Sequence, residues 1–154
     1  MNSLAFWLNH VMIPWKNLPD DTSKFHGFVY VIRNNHPDAI KKFYIGCKKL
    51  MKRLKRKPLK GKKRARICYV DNGVAEYWGS STELKQDIDK YGIEHFDREV
   101  LHLCETQWEL KFLEMYEQMK QNVLFDKSSY NGIINVRINS VPAALAEKYK
   151  DFKY

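Results

Sequence analysis

The chain has no window close to the roughly 18 consecutive apolar residues that a membrane-spanning helix needs. Its start, MNSLAFWLNHVMIPW, has neither a basic n-region nor a small-residue cleavage site. Neither a membrane span nor secretion is expected. Cysteine is scarce: Cys47, Cys68 and Cys104 form no CxxC pair and are odd in number. That argues against a disulfide frame or a structural metal, and for reduced thiols in a cytoplasm. Acid is missing from one long stretch, since KKLMKRLKRKPLKGKKRAR, Lys48 to Arg66, carries twelve Lys or Arg and no Asp or Glu. These twelve exceed the whole formal net charge of +9, so the rest of the chain is net acidic by three.

What is present suits one core: 154 residues, 44% hydrophobic, without an internal repeat. The basic run is built to neutralise phosphates and release counterions, which makes binding steeply salt-dependent. A solvated charge run or a localisation tail is the plainer reading. Tails sit at termini, however, and this run lies mid-chain between strand-like segments, which favours nucleic acid.

Residues 1–24 read as an N-terminal extension with an apolar patch of Leu4, Phe6, Trp7 and Trp15, broken by Pro14 and Pro19. Two β-rich runs come next, GFVYVIR (Gly27 to Arg33) and Lys42 to Gly46, and the loop chemistry between them predicts an antiparallel hairpin. A period of two puts Phe28, Tyr30 and Ile32 on one face and Val29 and Val31 on the other. Beyond the basic run, which Pro58 and Gly61 divide, Ile67 to Val70 reads as a short strand and Asp71-Asn72-Gly73 as a turn. Ser80 and Glu83 form a capping box for a helix to Tyr91, with Gly92 at its C′ position. Phe96 to Leu103 alternates as a strand. Thr106 and Glu109 open a second helix to about Gln121. Its apolar stripe is Trp108, Phe112, Met115 and Met119, so Glu114, beside Leu110 and Gln118, is expected to look outward. Ile133 to Ile138 reads as a strand, and a short helix starts at Pro142.

The ordered set GFVYVI, FYIG, an Arg-bearing basic segment, a helix with an outward Glu, then YNG resembles the GIY-YIG nuclease family from about Gly27 to Asn135. Its middle, YWGSSTELKQDIDKYG, is similar to that of small GIY-YIG proteins of bacteriophages. The resemblance implies an α+β fold, a small central antiparallel three-stranded sheet flanked by helices, with a basic inserted segment. On that reading residues 25–138 form the nuclease-like domain and residues 139–154 a C-terminal helical tail.

Carried over residue by residue, the family's two motif tyrosines fall on Tyr30, where the GIY triplet reads Phe28-Val29-Tyr30, and on Tyr44 in an intact Tyr44-Ile45-Gly46. The metal-ligating glutamate falls on Glu114, with Glu117 as fallback, and the family's asparagine on Asn131. The family usually carries its arginine on a helix after YIG, which points to Arg53, whereas the PLKGKKR feature points to Arg64 or Arg66. The activity implied by the resemblance is that of a Mg²⁺-dependent DNA endonuclease, with Mn²⁺ as a substitute. Tyr30, its pKa brought down by neighbouring charge, helps deprotonate water, while Tyr44 and the arginine hold a nonbridging oxygen. The products are a 5′-phosphate and a 3′-hydroxyl. Lys48, Lys49, Arg56, Lys57, Lys60, Lys62, Lys63 and Arg66 would straddle the backbone of double-stranded DNA without reading bases. A homodimer stays open, and the setting is the cytoplasm of an infected host cell. The alternative is a nucleic-acid-binding protein that keeps the fold and does not cut.

Overall fold

The computed structural model describes residues 13–153. Five strands and three helices are built among them: β1 (Gly27–Asn34), β2 (Phe43–Lys49), β3 (Met51–Arg56), β4 (Arg66–Asp71), α1 (Thr82–Tyr91), β5 (Phe96–Cys104), α2 (Gln107–Lys120) and α3 (Ala143–Tyr149). β1 sits at the centre of a three-stranded antiparallel sheet of order β2-β1-β5, while β3 and β4 pair only with each other. A central strand covered on both faces must be apolar throughout, which is why GFVYVI carries no polar alternation.

The period of two divides the core. Phe28, Tyr30 and Ile32 pack with Trp15, Trp78 and the α1 residues Leu84 and Ile88. Val29 and Val31 pack with Ile45 and the α2 residues Leu110, Phe112 and Leu113. One helix therefore covers each face. Against β5 the register of β1 shifts between Val29 and Tyr30, a bulge that lets Val100 follow His102 in the ladder. Trp15 fixes the incoming chain by edge contacts with Phe28 and Tyr30 at 5.0 and 5.2 Å. Its indole also donates to the Val74 carbonyl at 2.8 Å. The rest of the apolar patch, Leu4 to Trp7, lies outside the described residues.

Four expectations change. The α1 cap is Ser81, not Ser80: the Ser81 hydroxyl accepts from the Leu84 amide, leaving Ser80 free to meet Tyr44. Ile133 to Ile138 forms no strand, because residues 128–131 already occupy the edge of β2 where it would have to pair. β2 is followed directly by β3 and not by the expected helix; the basic run is instead a β-ribbon. Finally, the stripe of Trp108, Phe112 and Met115 faces the C-terminal tail, where Tyr149 and Phe152 cover it, and Met119 is exposed. The sheet-facing side of α2 is the other one, so Glu114, one turn from Leu110 and one from Gln118, comes down half-buried on the β2 edge rather than into solvent. The capping box of Thr106 and Glu109 forms as expected. No helix among the described residues is long and apolar enough to cross a membrane.

Candidate active site

Tyr30 and Tyr44 project from the α1 face of the sheet, Tyr44 from the edge strand and Tyr30 from the strand behind it, with ring centroids 6.2 Å apart. Register explains why a glycine closes the second motif. Gly46 pairs with Tyr30, and a Cβ there would lie 2.6 Å from the Tyr30 hydroxyl and 3.0 Å from the Tyr44 ring. Only a bare backbone lets the phenol cross. Gly79 repeats the device on the far side of Tyr44: its φ is +78°, and a Cβ would meet Leu84, Tyr44 and Ile32 within 3.4 Å.

The Tyr30 hydroxyl donates to that of Tyr77 at 3.3 Å. The Tyr44 hydroxyl meets Ser80 Oγ at 2.8 Å. Burial holds Tyr30 well above the ordinary phenol value, the reverse of what a base would require, and among the described residues no cation partners it. Burial also raises Tyr44, against the pull of the Ser80 hydrogen bond. The cation that does reach this cluster comes from the strand itself: Lys48, on the same face of β2 as Tyr44 and Gly46, lies with Nζ 4.0 Å from the centre of the Tyr77 ring.

On the other side of the β2 edge, Glu114 Oε2 accepts from the Cys47 thiol at 3.1 Å. Burial raises its carboxyl above the ordinary value, and among the described residues no Lys or Arg pairs with it. Asn131 grips the edge directly: Ile45 N–H donates to its Oδ1 at 2.9 Å, and its Nδ2 donates to Ile45 O at 2.7 Å. Gln118 Nε2 adds a bond to the same carbonyl at 3.1 Å. Tyr44, Ser80, Glu114, Gln118, Tyr130 and Asn131 line one cleft of about 360 Å³. Glu117 turns elsewhere, buried against His102 at 2.7 Å.

The structure thus brings Tyr44, Glu114 and Asn131 to one cleft with Tyr30 behind them, and leaves Arg53 exposed on the ribbon and Arg64 exposed at its tip, both outside the cleft lining. Lys49, Arg56, Lys57, Lys60, Lys62, Lys63 and Arg66 are exposed as well, and Lys48 is half-buried. Three contributors escape a reading of the sequence. Tyr77, Lys48 as a tyrosine-face cation, and Arg98 depend on long-range placement, although the period of two from Tyr44 through Gly46 to Lys48 is a signal that could have found the lysine. Arg98 is buried between Trp15 and Trp78, with its guanidinium 4.6 and 4.3 Å from their rings. It donates to the carbonyls of Ala75 at 3.0 Å, Tyr77 at 2.7 Å and Ile13. Burial pulls its pKa down to about 10, and its bonds fix the loop that carries Tyr77 toward Gly79 and Ser80.

The donor set fits a divalent cation. Mg²⁺ is held by one or two carboxylates and otherwise by water and substrate phosphate, and Glu114 is a carboxylate at the cleft that no cationic side chain among the described residues neutralises. Among the described residues there is no cluster of three His, Cys, Asp or Glu, so a closed all-protein cage of the kind structural metals use is not built there. Comparison with curated proteins and with solved structures returns no match. Comparison with family models returns one, described as putative endonuclease segE, GIY-YIG domain, over residues 10–134. A match over residues 10–134, most of the chain, means that the chain belongs to the GIY-YIG endonuclease-domain family.

Proposed function

We propose that the chain is a divalent-metal-dependent DNA endonuclease whose phosphodiester site is the cleft at the β2 edge, working in the cytoplasm of an infected cell. The observation that carries this reading is the convergence of the Tyr44 hydroxyl, the Glu114 carboxylate and the Asn131 amide on one cleft in a chain of this family. Glu114 would hold the ion, Mg²⁺ or Mn²⁺ by its hard oxygen donor, and the ion supplies Lewis-acid stabilisation of phosphate charge.

The chain's own residues do the rest. Tyr44, poised on Ser80, donates to a nonbridging phosphate oxygen where negative charge develops. Asn131 spends both ends of its amide on Ile45 and so holds Tyr44 and Cys47 in place from the strand between them. Tyr30 stays protonated and donates to Tyr77, orienting that hydroxyl rather than acting as a base. Lys48 takes the place expected of an arginine, bringing positive charge to the tyrosine face.

Supercoiled plasmid, incubated with Mg²⁺ or Mn²⁺ and with chelator, tests the reading. Wild type should nick or linearise it only with the ion, and Glu114→Ala should not. Absence of cleavage under both ions overturns the enzyme and leaves a DNA-binding protein, whereas cleavage by Glu114→Ala moves the site.

A further inference from the structure

The ribbon of β3 and β4 is unlike the rest of the molecule. Of its twelve strand residues none is buried; nine are exposed and Leu54, Cys68 and Val70 are half-buried. Cross-strand partners share a face. The register therefore puts Arg53 with Tyr69 and Lys55 with Ile67 on one side, and Leu54 with Cys68 and Arg56 with Arg66 on the other. Tyr69 is 64% exposed and Ile67 50%, an aromatic and a branched aliphatic side chain held in solvent next to two cations. Arg56 and Arg66 stand directly opposite each other. Like charges in that position destabilise a ladder, unless an anion comes between them.

Resting on the DNA reading above, we infer that the ribbon enters the major groove of duplex DNA with its Arg53, Lys55, Ile67 and Tyr69 face toward the bases, and so reads sequence within the nuclease domain. The dimensions agree. Six-residue strands reach about 20 Å with a spacing of about 4.8 Å, and the groove, about 12 Å wide, admits a two-stranded ribbon. Arg53 can meet guanine edges and Ile67 a thymine methyl. Arg56, Arg66 and the tip cations Lys57, Lys60, Lys62, Lys63 and Arg64, all exposed, fall to the phosphates along the groove walls. The tip turns at Gly61, whose φ is +81°, with Lys62 N–H bonded to the Leu59 carbonyl at 2.9 Å.

The test compares a short duplex of mixed sequence with the same duplex carrying bulky substituents on carbon 5 of its pyrimidines, which fill the major groove and leave the phosphates untouched. Binding is measured by fluorescence anisotropy without divalent ions. Wild type should bind the substituted duplex about tenfold more weakly, and Arg53→Ala/Tyr69→Ala should lose that difference while keeping its salt dependence. Equal wild-type affinity for both duplexes, or displacement by the minor-groove ligand netropsin alone, overturns the inference. So does a double variant that binds DNA normally but loses a dimer in sedimentation, which would assign the face to a second copy. Plasmid nicking is scored separately: a protein that nicks but ignores the substituents fails only here, and one that binds through the groove but never nicks fails only the nuclease reading.

Discussion

In the hairpin of β1 and β2, seven of the eight β1 residues are buried, and the side chains that matter are held by packing on every side. The hairpin of β3 and β4 begins after one residue, Leu50, and has no fully buried residue in either strand. Both use the same backbone ladder. The first needs a glycine because a phenol must cross its backbone; the second sets two arginines face to face in solvent, where an anion can come between them. Chemistry that needs buried, packed side chains is in the first hairpin, and contact with DNA through exposed side chains is in the second. Mutations should then act on cleavage and stability in the first and on DNA affinity in the second.

The largest effect is expected at Glu114. Glu114→Gln should lower plasmid cleavage by about a thousandfold or more while DNA binding without metal is kept. Its effect on stability runs the other way. Burial raises the folded carboxyl above its unfolded value, so ionising it costs folding free energy at neutral pH and nothing once both states are protonated. The variant should melt roughly one to three degrees higher near neutrality, a gain that calorimetry shows shrinking as the pH falls through the carboxylate range. A lower melting point at neutral pH would mean that the Cys47 contact outweighs burial.

Next comes Arg98→Met, which leaves the carbonyls of Ala75, Tyr77 and Ile13 without their donor and should cost about 3 kcal/mol in urea unfolding. Cleavage should fall further than the loss of folded protein explains, since Tyr77 is set free. Gly46→Ala should cost about 2 kcal/mol by overpacking, and Tyr30→Phe in the same chain should recover part of it, because the clash is with the hydroxyl. Strictly additive losses would place the strain elsewhere.

The second hairpin supplies the smallest stability effect. Lys60→Gln/Lys62→Gln/Lys63→Gln should stay within about 0.5 kcal/mol of wild type yet flatten the salt slope of DNA binding by up to about three units. A ribbon variant that unfolds the protein, or a sheet variant that changes only the salt slope, would erase the division between the hairpins.

The two hairpins are also unequally readable from sequence. Phe28, Tyr30 and Ile32 against Val29 and Val31 announce a strand covered on both faces, and Thr106 with Glu109 announces a helix start, because each signal is local. β3 carries no such signal: Lys and Arg fill both faces, and Leu54 alone cannot set a period. The stripe of α2 is real but belongs to the C-terminal tail, since periodicity identifies an apolar side and not what covers it. Which cation meets the tyrosines is settled by register, and register is a tertiary fact.

Asn131 has a consequence beyond the cleft. Ile45 N–H and C=O point away from β1, along the open border of the sheet, and Phe43 does the same toward Ser128 and Tyr130. A row of such groups invites a strand from another molecule. By answering both groups of Ile45 with one side-chain amide, Asn131 stands in for a fourth strand and occupies the place an aggregating chain would take. Its loss would therefore be felt first as a protein that stops staying apart from its own copies.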